Sequence, residues 1–284
     1  MHIVPFLELI CPLDKTPLQK MESSWRCAAG HSYDIAREGY THLLPVQNKK
    51  SRDPGDSKEM VAARRRFLNG LLYKPIAHAT GRLILNGVPS GTTLSCLDAG
   101  CGEGYYLREL AAMNSDVDSL SLLGLDISKW AVLAAAKQER RVGWVVGSNA
   151  NLPVESASLD RVLCMFGFPV YAEFARVLKP QGMLLQVDSG PEHLRELREI
   201  IYPSLKPERD ASMFVPDGFE REATNALTFP ITLSSAEQIA DLLAMTPHLY
   251  RATAEGRERA AALTALTVTV DVRLTIFRRA VLTE

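Results

Sequence analysis

The stretch "LDAGCGEGYY", residues 97–106, decides how the rest of the chain is read. "TLSCLDAG" ahead of it consists of residue types that fill a buried strand. "GYYLRELAAM" behind it has the composition of a helix. Gly100, Gly102 and Gly104 join the two, so the backbone can turn sharply and a ligand can approach the main chain closely. The spacing is G-x-G-x-G, tighter than the G-x-G-x-x-G of dinucleotide sites, and Asp98 stands two residues before the first glycine. The tighter loop leaves less room for a pyrophosphate. An acid at the strand end repels phosphate and attracts an ammonium group. Asp126 closes the next strand, "SLLGLDIS", 22 residues beyond Gly104. A carboxylate there can accept both ribose hydroxyls of an adenosine. An adenosine without phosphates, joined to an amino acid that carries an ammonium, is S-adenosylmethionine.

Outward from the loop, strands and helices alternate. Ser128 caps the helix "KWAVLAAAKQER", "VGWVVGS" and "LDRVLCMF" read as strands, "YAEFARVL" as a helix, and "MLLQVDSG" as a fifth strand. This rhythm predicts an α/β fold with a parallel, doubly wound, Rossmann-like sheet. Near the end, "TVTVDVRLTIFRR" alternates with period two and predicts a half-exposed antiparallel strand at the sheet edge. Three regions follow: residues 1–45 with Cys, His and turn signals, residues 46–90 as a charged connector with two helices, and residues 91–284 as the α/β domain.

The chain of 284 residues has 46% hydrophobic and 23% charged residues, an ordinary globular balance. A net charge of −1 excludes a globally basic nucleic-acid binder, so any basic surface has to be local. No apolar run is long enough to span a membrane. Five scattered cysteines suit a reducing compartment better than a disulfide scaffold, which places the protein in the cytoplasm.

"CPLDKTPLQKMESSWRCAAGH", residues 11–31, has zinc-ribbon spacing with one unusual member. Cys11, Cys27 and His31 are good ligand types, but Asp14 stands where a C-x-x-C pair needs its second thiolate. Two readings stand: a zinc site with one oxygen ligand, or a ribbon held by packing of Leu13, Leu18, Trp25 and Tyr33 alone.

"LDAGCGEG" with "LLGLDIS", "NLPVESASLDRVL" and "VLKPQGMLL" resembles the class I methyltransferases in order and spacing. That resemblance implies that Gly102 and Glu103 contact the cofactor and that Asp126 holds the ribose. Ser148 and Asn149 stand where the family carries Asp-Ala, so one of them would meet the adenine amino group. "CPLDKTPL", "REGYTHLLP", "SRDPGDS", "SGPEHLRELREIIY" and "MTPHLYRA" extend the likeness over nearly the whole chain. Together they resemble the bacterial 23S ribosomal RNA guanine-N1 methyltransferases with an N-terminal zinc ribbon. The resemblance implies methyl transfer to N1 of a guanine in an rRNA hairpin by a homodimer whose ribbons help form the RNA cleft. It also implies that Tyr73 and His193 join Gly102 and Glu103 around the cofactor, and that the metal ligands fall on Cys11, Asp14, Cys27 and His31. Methylation of another RNA or a small molecule, or a catalytically silent RNA-binding relative, are the alternatives.

RNA binding needs local positive charge. Lys49, Lys50, Arg52 and Lys58 cluster in the connector and Arg64-Arg65-Arg66 follow, with Asp53, Asp56 and Glu59 partly cancelling them. Trp25, Tyr33, Tyr40 and Phe168 could stack on a base. The loop "MFGFPVY", residues 165–171, offers no carboxylate, His or Lys, so no general base is assigned. Glu103 and His193 are the groups to consider. Cys101 and Cys164 read as small apolar fillers.

Overall fold

The computed structural model describes residues 2–48, 51, 53–113, 117–205 and 214–281. Lys49, Lys50 and Arg52 of the predicted basic cluster lie outside them. The N-terminal region carries β1 (His2–Val4), β2 (Gln19–Lys20), β3 (Ser24–Arg26), β4 (Ser32–Asp34) and β5 (Tyr40–His42). The connector forms α1 (Lys58–Asn69) and α2 (Lys74–Leu85). Ser57 caps α1 by accepting from the Met60 amide at 3.3 Å, and Pro75 sits in the first turn of α2, where its missing N–H costs nothing. There follow β6 (Thr93–Ala99), α3 (Tyr105–Ala112), β7 (Ser119–Asp126), α4 (Lys129–Gln138), β8 (Gly143–Val146), β9 (Leu159–Met165), α5 (Tyr171–Val177) and β10 (Leu178–Ser189). The last third holds α6 (Arg195–Ile201), β11 (Phe219–Leu233), α7 (Ala236–Ala244), α8 (His248–Arg251), α9 (Ala254–Ala261) and β12 (Leu266–Arg279).

The main sheet runs β11, β12, β10, β9, β6, β7, β8, β5. Strands from β10 to β5 are parallel, as the α/β rhythm predicts, and β12 and β11 are antiparallel additions. β6 pairs with β7 on one side and β9 on the other, so the chain reverses its direction of winding there. Ligands of open α/β sheets bind at the carboxyl ends of the strands at such a switch point, and the glycine loop leaves β6 at that place. β2, β3 and β4 form a separate antiparallel sheet. Both ends of the N-terminal region are stitched into the main sheet, β1 alongside Ser119–Ser121 of β7 and β5 alongside Trp144–Val146 of β8.

One expectation is corrected. β12 is not the edge: it lies between β10 and β11, and Val268, Val270, Val272 and Leu274 on it are buried. The edge is β11, whose "FEREATNALTFPITL" carries charges and Pro230 and does not read as a strand locally. Its register comes from fourteen residue pairs with β12, and proline is tolerated where one side of a strand faces no partner.

The two faces of the sheet are covered differently. α1 to α4, α6, α7 and α9 supply one hydrophobic cluster. On the other face, Phe6, Leu9, Leu18, Trp25 and Leu43 of the N-terminal region pack with Phe174 of α5 on Leu97, Leu125, Val145 and Val154. The small ribbon therefore completes its core by borrowing the sheet. Trp25 is buried in doing so and Tyr40 in the helix-side cluster, which removes both as base-stacking platforms, while Leu13 is exposed.

Trp144 backs the glycine loop from β8, and its indole N–H donates to the Glu139 carbonyl at 2.6 Å. A Cβ on Gly124 would overlap that ring. Gly124→Ala is expected to lower stability by about 2 kcal/mol or more, read as a lower melting temperature, because the ring has no rotamer to retreat to in a packed layer.

Candidate functional site

Gly100, Gly102 and Gly104 all have positive φ, at 99°, 55° and 81°. Three left-handed residues within five let the main chain fold back on the sheet. The Gly100 and Cys101 amides donate to the Leu125 carbonyl at 2.8 and 2.9 Å, and the Gly102 amide donates to Asp126 Oδ2 at 2.9 Å. Asp126 Oδ1 accepts from the Ser128 amide at 2.8 Å. The acid at the end of β7 is thus fixed by the loop after β6, and its oxygens keep lone pairs for further donors.

Asp98 is fully buried at the end of β6, and among the described residues neither carboxylate oxygen has a hydrogen-bond partner. Burial and the neighbouring Asp126 charge push its carboxyl up to about 8. A buried carboxyl without a partner is expensive, and a cation seated beside it would repay both desolvation and repulsion. Asn149 Oδ1 is likewise buried and unpartnered, while its Nδ2 donates to the Ala99 and Phe168 carbonyls at 3.4 Å each. An acceptor held this way suits an exocyclic amine. Ser148 lies beside it, its hydroxyl accepting from the Ala150 amide. Two buried acceptors of the kinds that suit an ammonium and an amine accompany the Asp126 carboxylate, a group of the kind that suits ribose hydroxyls. This set of acceptors fits S-adenosylmethionine.

Tyr73, Phe166 and His193 form one aromatic group: the Phe166 and His193 rings stack at 5.8 Å between centroids, with Tyr73 at 6.5 and 6.3 Å from them. Phe166 adopts φ 50°, which turns the loop after β9 toward the imidazole. The Asp271 amide donates to His193 Nδ1 at 3.2 Å. An amide can only donate, so the ring proton resides on Nε2. Burial, with repulsion from His248, holds this imidazole down to about 4, so it is neutral at pH 7 and offers an N–H rather than a lone pair. Glu103 is also committed, because its carboxylate accepts from Arg108 at 2.9 Å and Gln138 at 2.6 Å. Neither group is placed to act as a proton acceptor; what Glu103 presents to the loop is main chain. Burial pushes the Cys164 thiol up to about 12 and raises Cys101 as well, in keeping with fillers.

In the ribbon, Cys11, Asp14, Cys27 and His31 bring one ligand atom each within 4.8 Å of one another. Asp14 Oδ2 lies 2.9 Å from His31 Nδ1 and 3.2 Å from Cys27 Sγ, and His31 Nδ1 lies 3.5 and 3.4 Å from the two sulfurs. Tetrahedral zinc with thiolate and imidazole ligands separates such atoms by roughly 3.3–3.8 Å. Two tight turns present the ligands: the Lys15 amide donates to the Cys11 carbonyl at 2.9 Å and the Gly30 amide to the Cys27 carbonyl at 3.0 Å. Thr16 donates through its hydroxyl at 2.6 Å and its amide at 2.9 Å to Asp14 Oδ1, leaving Oδ2 for the centre. These bonds hold the Asp14 carboxyl well below the usual range, so it is ionised as a ligand must be. The four residues fit a zinc ion.

Residues 9–52 match a zinc-ribbon family described as "RlmA, N-terminal", and residues 96–182 match "Methyltransferase domain". The chain is 33% identical to a candidate 23S rRNA (guanine-N1)-methyltransferase of Micromonospora griseorubida, over 98% of this chain and 99% of that protein. It is 32% identical to the 23S rRNA (guanine(748)-N1)-methyltransferase of Streptomyces fradiae over 69% of this chain and 68% of the relative. A candidate enzyme of the same kind from Bacillus subtilis is 29% identical over 96% of this chain. The chain belongs to the RlmA-type 23S rRNA guanine-N1 methyltransferase family. Its activity class is S-adenosylmethionine-dependent methyl transfer.

Within this RlmA-type chain, several features of the site escaped the sequence. Asp271 of β12 holds His193 through its amide, and its carboxylate accepts from the Glu192 amide at 3.0 Å and from Thr228 at 2.9 Å. Only pairing of β10 with β12 brings residues 78 apart together. Phe166 could have been suspected, since an aromatic before Gly167 in a strand-end loop is a poor core residue. Asp188, near the end of β10, is a half-buried carboxyl raised by burial that accepts from Gln186 Nε2 at 2.7 Å. Among the described residues, no helix of this RlmA-type methyltransferase is long and apolar enough to cross a membrane.

Proposed function

We propose that the protein transfers the methyl group of S-adenosylmethionine to N1 of a guanine in a hairpin of 23S ribosomal RNA, in the cytoplasm and as a homodimer. The observation that carries the reading is the end-to-end likeness to a relative named for this reaction, ribbon and methyltransferase domain together. The geometry supports it. The first ribbon turn meets the loop that carries Ser148 and Asn149: Lys15 Nζ donates to Asn151, and Asn151 Nδ2 donates to the Pro12 carbonyl at 3.4 Å. A ribbon anchored at the rim of the pocket is positioned to hold a macromolecular substrate and has no evident use for a metabolite. Phe168, in the loop after β9, is 89% exposed and offers a face for an unstacked base.

When bound, S-adenosylmethionine supplies an electrophilic methyl group on a sulfonium. The chain's own residues align it. Asp98 takes the ammonium, Asp126 the ribose hydroxyls, and Asn149 Oδ1 the adenine amine. Gly100 and Gly102 keep the main chain close enough for contact, and Tyr73, Phe166 and His193 form an apolar wall with one N–H donor. The ribbon's Cys11, Asp14, Cys27 and His31 hold zinc as a structural ion.

Incubating the full-length protein and labelled cofactor with ribosomal RNA stripped of this modification tests the reading. Label in one guanine of a large-subunit hairpin, with a matching primer-extension stop, is expected. Label only in a metabolite pool would refute it. The metal reading has its own test: Asp14→Cys replaces oxygen with thiolate, so zinc affinity should rise roughly 10-fold or more in a chelator competition. Equal affinity in the two proteins would count against Asp14 as a ligand.

A further inference from the structure

Arg64, Arg65 and Arg66 are consecutive, and on a helix consecutive side chains point about 100° apart. They meet three different fates. Arg66 forks onto Asp241 at 2.9 and 2.5 Å, and Arg65 is exposed. Arg64 turns inward, and its side chain is 24% exposed against 52% for Arg66. Its Nη1 donates to Asp56 and its Nη2 to the Met245 carbonyl at 3.1 Å. A Cβ built on Gly102 would lie 3.4 Å from Arg64 Nη1, so the guanidinium rests on the glycine loop itself. Asp126 feels its charge. Tyr106, the second residue after Gly104, feels both Asp98 and Arg64, with opposite signs.

A fixed cation and an unpartnered buried acid therefore address one stretch of loop. Asp56 and the Met245 carbonyl orient the guanidinium and engage two of its five N–H donors. A planar fork of this kind matches the two oxygens of a carboxylate, and the acids Asp98 and Asp126 beside it disfavour a phosphate. We propose that Arg64 binds the α-carboxylate of S-adenosylmethionine while Asp98 binds its ammonium, so that the site selects the amino-acid end of the cofactor as a zwitterion. This rests on the reading that the cofactor occupies the glycine loop. It assigns a binding role to one arginine of a triplet whose composition suggests RNA contact, and makes Asp56 a positioning residue for it.

Calorimetry of the full-length protein with S-adenosylmethionine and with its decarboxylated form tests this. The two ligands share adenosine, sulfonium and ammonium and differ in the carboxylate. The wild-type protein is expected to bind the complete cofactor roughly 10- to 100-fold more tightly, the range of a charge-assisted hydrogen-bonded pair. Arg64→Met should erase that preference by weakening only the complete cofactor, with the decarboxylated ligand changed less than about twofold. Arg64→Lys should keep part of it. Equal wild-type affinities would overturn the proposal without recourse to any variant, and so would equal weakening of both ligands in Arg64→Met, which would mark the arginine as a strut. Binding of neither ligand to the wild type would instead overturn the cofactor site, and this assignment with it.

Discussion

Gly102→Asp is expected to abolish cofactor binding, with at least a roughly 100-fold loss of affinity, while the protein stays folded. Gly102 has φ 55°, a conformation that aspartate tolerates better than most residues, so the backbone cost is only about 1 kcal/mol. The side chain is the problem. Its Cβ would arrive 3.4 Å from the Arg64 guanidinium, on the surface that has to stay open for the ligand. Its carboxylate would add a third acid to Asp98 and Asp126 and would compete for Arg64. Calorimetry at millimolar cofactor, with circular dichroism to confirm the fold, measures the outcome. Undiminished binding would show that the ligand does not lie against this loop.

Asp98→Asn should separate stability from binding. The Asp98 carboxyl is raised to about 8 in the folded protein from an ordinary 3.8, first by burial and then by Asp126. Between those values the folded state binds more protons than the unfolded state. Stability of the cofactor-free protein therefore falls as pH rises from about 4 to about 8. An amide carries no charge to desolvate, so the variant should lose this part of the pH slope. At pH 8 it should melt roughly 5 °C or more above the wild type without cofactor. The same change removes the counter-ion for an ammonium, so cofactor affinity should drop about 10-fold or more. Affinity of the wild type should rise from pH 5 to pH 7 as Asp98 gives up its proton on binding. Melting curves across that range, with and without cofactor, measure both effects. A variant no more stable than wild type at pH 8 would mean that the carboxyl is not strained.

The two substitutions probe features that differ in how legible they are. The loop is local: three glycines between an apolar strand and a helix can be read without any partner, as can the Ser57 and Ser128 caps, because the forces involved act over a few residues. That Asp98 is strained is not local. It depends on β7 bringing Asp126 alongside and on no described residue donating to the carboxylate. The same holds for Glu103, which as a residue of the glycine loop reads as a site acid but spends its carboxylate on Arg108 and Gln138. Trp25, Tyr40 and Phe168 read alike as aromatics. Tertiary packing buries Trp25 against one face of the sheet and Tyr40 in the helix-side cluster, and leaves Phe168 in solvent.

From its residues alone, the chain determined its α/β alternation, the glycine loop with Asp98 and Asp126, and four metal-ligand types at ribbon spacing, since each is set by neighbours within a few turns of backbone. Tertiary structure alone decided that β11 rather than β12 forms the edge, that Asp271 locks the His193 tautomer, and that three adjacent arginines face an acid, the solvent and the glycine loop. These depend on pairings between residues far apart in sequence, whose energy lies in burial and partner geometry and leaves no mark on the local pattern.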